Sequence, residues 1–504
     1  MNRLGSKTSR RLSAALIGTA LFLAACGGSD DSSDSPGTDA PDGTEAAATT
    51  DAAETTEAPE ATDAPATTEA ARDGVRRVPG DYPTIQEAVD AAEPGDLVLI
   101  SPGVYNEAVN VATDELTIRG LDRNEVILDG EFELENGIRV LGASGVAVEN
   151  MTAINYTVNG FYWIEADGYR ASYLTAQRNN DYGVYAFDSV NGLIEHVYAA
   201  GSPDAGIYIG QCYLCNAVLN DVWAEFNGLG YSGTNSGGNL TIVNSQFNDN
   251  RAGIVPNSGS YELCYPGRET TVVGNVVYGN GNPNTPSKGL ADLAFGTGIT
   301  VAGAIGNVVE RNLVYDHTRA GIAIAPFPEE NPNDDLPSED EWDVTCDVQR
   351  EAPLAEVGPE DLVAETYLVW NPYDNRVIGN SVSGSGLADL VNSGFGVPTE
   401  ELRNCFSGNT FTTSQPASLE ELAPCDGPGS GGDWTIDAFD PVQIVTFEPP
   451  EAVDYQLVEL PELPLLPGME DPENAPASPA VGLPAAVDTA AITLPTAPFY
   501  SLDS

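Results

Sequence analysis

The chain has 504 residues, 52 of them glycine, and sets 76 Asp and Glu against 20 Lys and Arg, a formal charge of −56. That balance excludes a protein built to hold nucleic-acid phosphates, which needs clustered cations. Only His196 and His317 are present, so a His-rich metal cluster is excluded too. His196 reads as an ordinary strand residue and His317 as a turn residue beside Arg319.

The first segment is a targeting signal. Arg3, Lys7, Arg10 and Arg11 precede an apolar run over 12–25, which ends Leu23-Ala24-Ala25-Cys26-Gly27. A charged start, a short apolar stretch and small residues mark an exported chain. The ending resembles the lipobox of bacterial lipoproteins. This resemblance implies cleavage before Cys26, lipidation of Cys26 and attachment to a membrane of the cell envelope. A plain secretory signal with a chance cysteine is the alternative. Residues 27–72 hold Asp, Glu, Thr, Ala, Pro and Ser, with no Lys or Arg before Arg72. Such a stretch buries too little to fold and reads as a disordered acidic tether.

Order begins near residue 73. Thr84-Ile85-Gln86-Glu87 has the spacing of a capping box, in which the Thr hydroxyl and the Glu carboxylate satisfy free amides at a helix start. Ile85, Ala88, Val89 and Ala92 form one apolar face, and Pro94-Gly95 stops the helix. Leu97 to Ile100 is then a strand, so the helix is placed to cover the open edge of a first coil.

A repeat follows. Glycines 137, 160, 183, 206, 230, 253, 298 and 321 each precede a short apolar run, at intervals of 23, 23, 23, 24, 23, 45 and 23 residues. A fixed period of this size marks a solenoid, whose repeats bury apolar faces only by stacking. Further short runs separated by Asn, Asp, Gly and Ser fill each period, so the unit is made of strands. The 45-residue interval reads as one coil with an insertion, and two coils, one of them degenerate, as the rival. The residue after each glycine is Ile138, Phe161, Val184, Ile207, Tyr231, Ile254, Ile299 or Ile322, and this column points inward. The next column therefore points out and aligns Tyr162, Tyr185 and Tyr208. Asp181 and Asp204 stand one coil apart, two residues before their glycines, with Arg178 near. Glu165, Asp188 and Gln211 recur five residues after the glycines, where the chain is expected to turn.

From Ala325 the pattern breaks into an acidic, Pro-rich insertion over 327–370, and the repeat returns at 375–409. The solenoid domain is set at 73–412. Residues 413–504 read as an irregular, Pro-rich acidic extension, with apolar pieces such as 457–466 suited to lie along the solenoid. Leaving out Cys26, six cysteines remain, an even number that suits disulfides in an exported chain. Cys212-Tyr213-Leu214-Cys215 lacks the second pair of a zinc site and the βαβ setting of a redox protein, so it reads as structural. Six cysteines admit about 15 connectivities; Cys405 with Cys425 is the expectation for one pair, and bridges to Cys264 and Cys346 are expected to pin the inserted loops.

Asp81 to Val111, DYPTIQEAVDAAEPGDLVLISPGVYNEAVNV, resembles the N-terminal cap and first coil of the pectin-lyase-like superfamily. With the repeats, the resemblance covers about residues 76–412. It implies an all-β fold, a right-handed parallel β-helix of roughly ten coils with an N-terminal cap helix. It also implies a lyase or C5-epimerase acting on polysaccharide. Yet the Gly-His-Gly of polygalacturonases, the Asp-Pro-His-Asp of mannuronan epimerases and the central motifs of pectin methylesterases are all absent.

The candidate site is the outward face from Gly160 to Gln211. Tyr162, Tyr185 and Tyr208 would stack against sugar rings, with Glu165 and Gln211 beside them. Asp181, Asp188 and Asp204 would supply an acid and base, or oxygen ligands for Ca²⁺. Arg178 would stabilise the charge of an acidic sugar. A self-stacking tyrosine ladder with solvated acids is the bland alternative. The expectation is a monomeric, lipid-anchored envelope protein that binds, and as an enzyme cleaves or epimerises, acidic polysaccharide. A non-catalytic scaffold or adhesin-like binder is the other.

Overall fold

The computed structural model describes residues 74–501 apart from 331, 333–334, 345, 352–366, 437–442, 444–445, 464 and 483. The signal segment, Cys26 and the tether lie outside the described residues.

Each coil holds three short strands. In one coil these are Val190–Glu195, Tyr198–Ala200 and Ala205–Gly210. The next coil sets Ala217–Asn220, Trp223–Glu225 and Leu229–Thr234 beside them, all parallel. The strands thus stack into three faces. The third face is an 11-stranded sheet in strict chain order, close to the roughly ten coils expected. Val146–Ile154 and Asp167–Gln177 run through the corner between the first and second faces and join them into one 20-stranded sheet.

Single residues in the left-handed conformation make the corners. Tyr173, His196 and Asp221, with φ of 53°, 55° and 58°, turn the first face into the second. Arg178 and Asp249, at 51° and 53°, turn the second into the third. Glu165, Asp188 and Gln211, at 54°, 48° and 51°, turn the third into the next first face. These residues carry the strain of φ > 0, and the regular ladder on either side holds them there.

The repeat glycines serve another purpose. A β-carbon on Gly183 would stand 2.6 Å from the Gly206 carbonyl oxygen, and one on Gly160 would stand 2.7 Å from that of Gly183. Neighbouring coils approach too closely there for a side chain. The inward column that follows the glycines is fully buried from Ile138 to Ile322. Inside two corners, buried polar residues stack from coil to coil. Asn227 donates to Asn250 at 3.1 Å and Asn250 to Asn280 at 3.2 Å. Asn275, Asn312, Asn380 and Asn409 form a second file. His317 continues the first file, with Nε2 3.2 Å from the Val277 carbonyl, and burial lowers its pKa to about 4. It is a neutral interior group.

The helix Ile85–Asp90 lies where expected, and Thr84 Oγ1 accepts from Glu87 N at 3.1 Å. The carboxylate at the helix start belongs to Glu107, not Glu87, and accepts from the amides of Ile85 and Gln86 at 3.0 Å each. Ile254 pairs with Ile299, so the 45-residue interval is a single coil. Its extra length forms loops at 258–267 and 279–296. The later insertion starts and ends as a two-stranded hairpin, Phe327–Glu330 against Tyr367–Trp370. Disulfides join Cys212 to Cys215, Cys264 to Cys346 and Cys405 to Cys425.

The segment 447–500 is laid on the solenoid by arginines that donate to its carbonyls. Arg251 reaches Pro450, Arg123 reaches Pro467, Arg119 reaches Ala475 and Pro476, and Arg311 reaches Thr489 and Ile492. The segment runs along the second face and returns along the first. Val458 and Leu466 are buried, while Leu457 and Leu465 point to solvent.

Gly183→Ala is expected to lower stability by about 1–3 kcal/mol through overpacking against the next coil. Gly142→Ala, with open space around it, should cost about 1 kcal/mol, the left-handed penalty alone. Denaturant titration of both variants checks the difference.

Candidate functional site

The outward column of the third face is in register: Arg139 faces Tyr162, Tyr162 faces Tyr185, Tyr185 faces Tyr208 and Tyr208 faces Ser232. The Tyr162 and Tyr185 rings are 5.1 Å apart and tilted by 49°, and the Tyr185 and Tyr208 rings are 4.7 Å apart and stacked. Tyr182 adds a fourth ring, 4.5 Å from Tyr185 and 4.8 Å from Tyr208. The Arg139 guanidinium lies 5.8 Å from the centroid of Tyr162.

The expectation of three open tyrosines needs correcting. Tyr162 and Tyr185 are half-buried, but Tyr208 is 2% exposed. The 258–267 loop covers it, and its hydroxyl donates to Glu262 Oε1 at 2.5 Å. The platform is therefore Tyr162 and Tyr185, ending against a wall that contains Glu262.

Asp181 and Asp204 lie on adjacent coils, and their surroundings differ. Asp181 forms an ion pair with Lys288 of the 279–296 loop. Asp204 Oδ2 accepts from the Tyr182 hydroxyl at 2.9 Å. Burial raises the Asp204 carboxyl to about 7, and the charge of Asp181 adds to the rise. Burial likewise raises Glu262 to about 8, with Asp204 adding to it. The phenols of Tyr182, Tyr185 and Tyr208 are pushed well above their usual value, first by burial and then by these acids. The site holds two carboxyls able to gain or lose a proton near neutrality, each hydrogen-bonded to a tyrosine that stays protonated.

The other expected residues lie apart. Asp188 is at the far corner of the Tyr182–Phe187 strand, about 20 Å from Asp181 by strand rise. It cannot share a ligand with Asp181 and Asp204. Glu165 occupies the same corner one coil earlier and is exposed. Gln211 is buried, and its Oε1 accepts from Leu263 N at 2.8 Å, pinning the covering loop. Arg178 sits at the opposite corner and donates from Nε and Nη2 to the Val458 carbonyl at 3.4 Å, which directs it to the 447–500 segment. Among the described residues no group of three or more His, Cys, Asp or Glu is arranged to hold a metal ion. Asp181, Asp188 and Asp204 therefore do not form the Ca²⁺ set considered from the sequence. Lys288 and Glu262 went unrecognised because they sit in insertions. In the sequence, only the broken period marks those stretches.

These acids make stability depend on pH. The folded pKa values of Asp204 and Glu262 lie above their ordinary values, as does that of Glu225, at about 7. The folded state thus holds more protons, and this stabilisation is lost as pH rises through about 7 to 8. His317 is depressed and contributes fully above about 6.5, so it does not offset the loss. The melting temperature should fall between pH 6.5 and pH 9, and Glu262→Gln should flatten the fall. A melting temperature that is level or rises over this range would contradict the assignment.

Residues 136–312 match the family model for the right handed beta helix region. No curated protein matches the chain. Among solved structures, the A-module of a mannuronan C-5 epimerase from Azotobacter vinelandii is 15% identical, over 65% of this chain and 90% of that one, with a TM-score of 0.41. An alginate lyase from Paenibacillus is 15% identical, over 61% and 94%, with a TM-score of 0.36. A pectate lyase is 13% identical, over 76% and 83%, with a TM-score of 0.37. With its three parallel faces, and with residues 136–312 matching that family model, the chain folds as a right-handed parallel β-helix.

Proposed function

We propose that the third face binds an acidic polysaccharide and transfers a proton at a uronate ring, as a lyase or C5-epimerase. The observation that carries this reading is the half-buried Tyr162–Tyr185 platform ending at two carboxyls, Asp204 and Glu262, that titrate at about 7 and 8. Sugar rings stack on the tyrosines, whose hydroxyls keep polar contacts.

The chain as a whole is strongly acidic, but this groove is not. Protonated Asp204 and Glu262 carry no charge and present hydrogen-bond donors. Arg139 supplies a cation at one end, and Lys288, ion-paired with Asp181, leaves no net negative charge at the other. A protonated carboxyl or Lys288 would stabilise the substrate carboxylate as the adjacent carbon loses its proton. Asp204 in its ionised form accepts that proton, and its pKa near neutrality suits the task. A proton delivered to the opposite side of the ring by protonated Glu262 would give epimerisation, whereas breaking of the C4–oxygen bond, with the leaving oxygen taking that proton, would give elimination. In this reading Lys288 takes the role first assigned to Arg178. The protein is held on the envelope membrane through lipidated Cys26.

The test is a panel of uronate polymers, followed by the ultraviolet absorbance of unsaturated ends and by solvent deuterium entering the sugar. Asp204→Asn and Glu262→Gln are each expected to reduce kcat by about 10²–10⁴-fold. Tyr185→Ala should raise KM, with Tyr185→Phe close to wild type. Binding with no turnover on any polymer would make the face a glycan-binding surface, and no binding at all would defeat the reading. Separately, Cys26→Ser should move the protein from the membrane fraction to the soluble one.

A further inference from the structure

We propose that the third-face groove is blind and acts only at the reducing end of an acidic polysaccharide, one unit at a time. This rests on the third-face reading and adds which part of the polymer the site accepts.

Two outward columns run along the third face, and both close at the same coil. In the first, Asn110 is exposed and Arg139, Tyr162 and Tyr185 are half-buried. From Tyr208 through Ser232 and Val255 to Val391, that column is buried. In the second, Leu141 is exposed and Ile164 and Phe187 are half-buried, whereas Thr234, Asn257 and Ala302 are buried. The change falls on the coil that carries Tyr208.

The cover consists of pieces bonded to the face and to one another. In the 258–267 loop, the Tyr261 hydroxyl donates to Asn257 Oδ1 at 3.2 Å. Glu329 of the hairpin accepts from the Ser260 amide at 3.0 Å and from the Trp370 indole at 2.6 Å. Ala291 and Ala294 of the 279–296 loop pack with Val255, Ala302 and Phe327. Ile436 packs over Ala323 and Val391. The 279–296 loop also closes the flank beside the acids. Its Lys288 amide donates to the Pro203 carbonyl at 2.8 Å, and the Lys288 side chain pairs with Asp181. The Cys264–Cys346 disulfide ties the 258–267 loop to the later insertion. Bonded in this way, the cover is a fixed wall.

The opposite end is open. Gln86 of the cap helix bonds the backbone of Asn110, donating to its carbonyl at 3.1 Å and accepting from its amide at 2.8 Å, and leaves the Asn110 side chain exposed. The groove therefore runs over four coils, about 14 Å, and stops at Asp204 and Glu262. A polymer lying along the face cannot continue past them, so a terminal unit reaches the acids and an internal one does not.

The chemistry selects the terminus. The unit that gives its C5 proton to Asp204 is the unit whose C4–oxygen bond breaks. The C5–H electron pair forms the C4=C5 double bond, and the leaving oxygen takes the C4–oxygen pair and the Glu262 proton. At a non-reducing terminus C4 carries a free hydroxyl, and no glycosidic bond would break. At a reducing terminus C4 carries the rest of the polymer. Elimination there frees one unsaturated monouronate and leaves the polymer a unit shorter, and epimerisation would invert that unit alone.

Hexauronates of mannuronate and of galacturonate, incubated with the full chain in deuterated water and read by fragmentation mass spectrometry, test the proposal. The first product should be an unsaturated monouronate or, without cleavage, deuterium should appear in the reducing-terminal unit alone. Reductive amination, which opens the terminal ring, should slow turnover by about 10²-fold or more and weaken binding in titration calorimetry about tenfold. An unsaturated non-reducing end should change neither. Where binding occurs without turnover, the calorimetric comparison decides. Internal cleavage, deuterium spread along the chain, or undiminished binding of the aminated hexauronate overturns the blind groove and leaves the third-face reading standing. Absence of both turnover and binding with the intact hexauronates defeats that reading, and this inference with it.

Discussion

Everything in this molecule depends on one coil lying in register on the next. That register requires three corners made by single residues and a point of contact where a side chain cannot fit. The repeat glycines meet the second requirement, as the 2.6 Å from a Gly183 β-carbon to the Gly206 carbonyl shows. The left-handed corners meet the first, using residues as unlike as Tyr173, Arg178 and Asp188. Each corner costs of order 1 kcal/mol. Stacked asparagines and continuous parallel ladders on both sides offset that cost. Because register is enforced everywhere, any two outward residues with the same position in the repeat become neighbours. This is how the fold makes a row of tyrosines from residues 23 apart.

The part of the fold that repeats was legible for that reason. The inward column after each glycine could be read off directly, and every member from Ile138 to Ile322 is buried. The same logic aligned Tyr162, Tyr185 and Tyr208 and put Asp181 one coil from Asp204. It was less able to tell which side chains reach solvent, because solvent is excluded by parts that do not repeat. Tyr208 is hidden by the 258–267 loop, and Asp181 is paired by Lys288, 107 residues away. Such contacts leave no periodic trace. The corner column of Glu165, Asp188 and Gln211 shows the same limit at shorter range. Its spacing was visible, but its separation from Asp181 follows from the length of a strand.

Cations are scarce in this chain, and most of those described are committed to architecture. Arg119 and Arg170 both pair with Glu149 on the outer side of the first face, beneath the 447–500 segment. Arg251 is fully buried and pairs with Asp292 of the 279–296 loop. Arg119, Arg123, Arg178, Arg251 and Arg311 hold the carbonyls of the 447–500 segment. A guanidinium suits this work, since its planar fork of donors serves several carbonyls at once and stays charged when buried. Arg178 illustrates the consequence: a cation close in sequence to the acids of the third face is spent on fixing a distant segment.

The two faces then differ in a way that follows from what covers them. On the third face, loops bury the acids beside the tyrosines, so Asp204 and Glu262 shed their charge near neutrality and the groove can tolerate an anion. On the second face, Glu225 is also raised to about 7, yet it is held by Tyr198 at 2.9 Å and by Asn248, and the C-terminal segment packs over that stretch through Leu466 and Tyr500. Asp249 beside the Tyr278 ring is likewise raised by burial. In-register columns, roofed by inserted loops on one face and by the C-terminal segment on another, thereby acquire different surroundings without any change in the underlying coil.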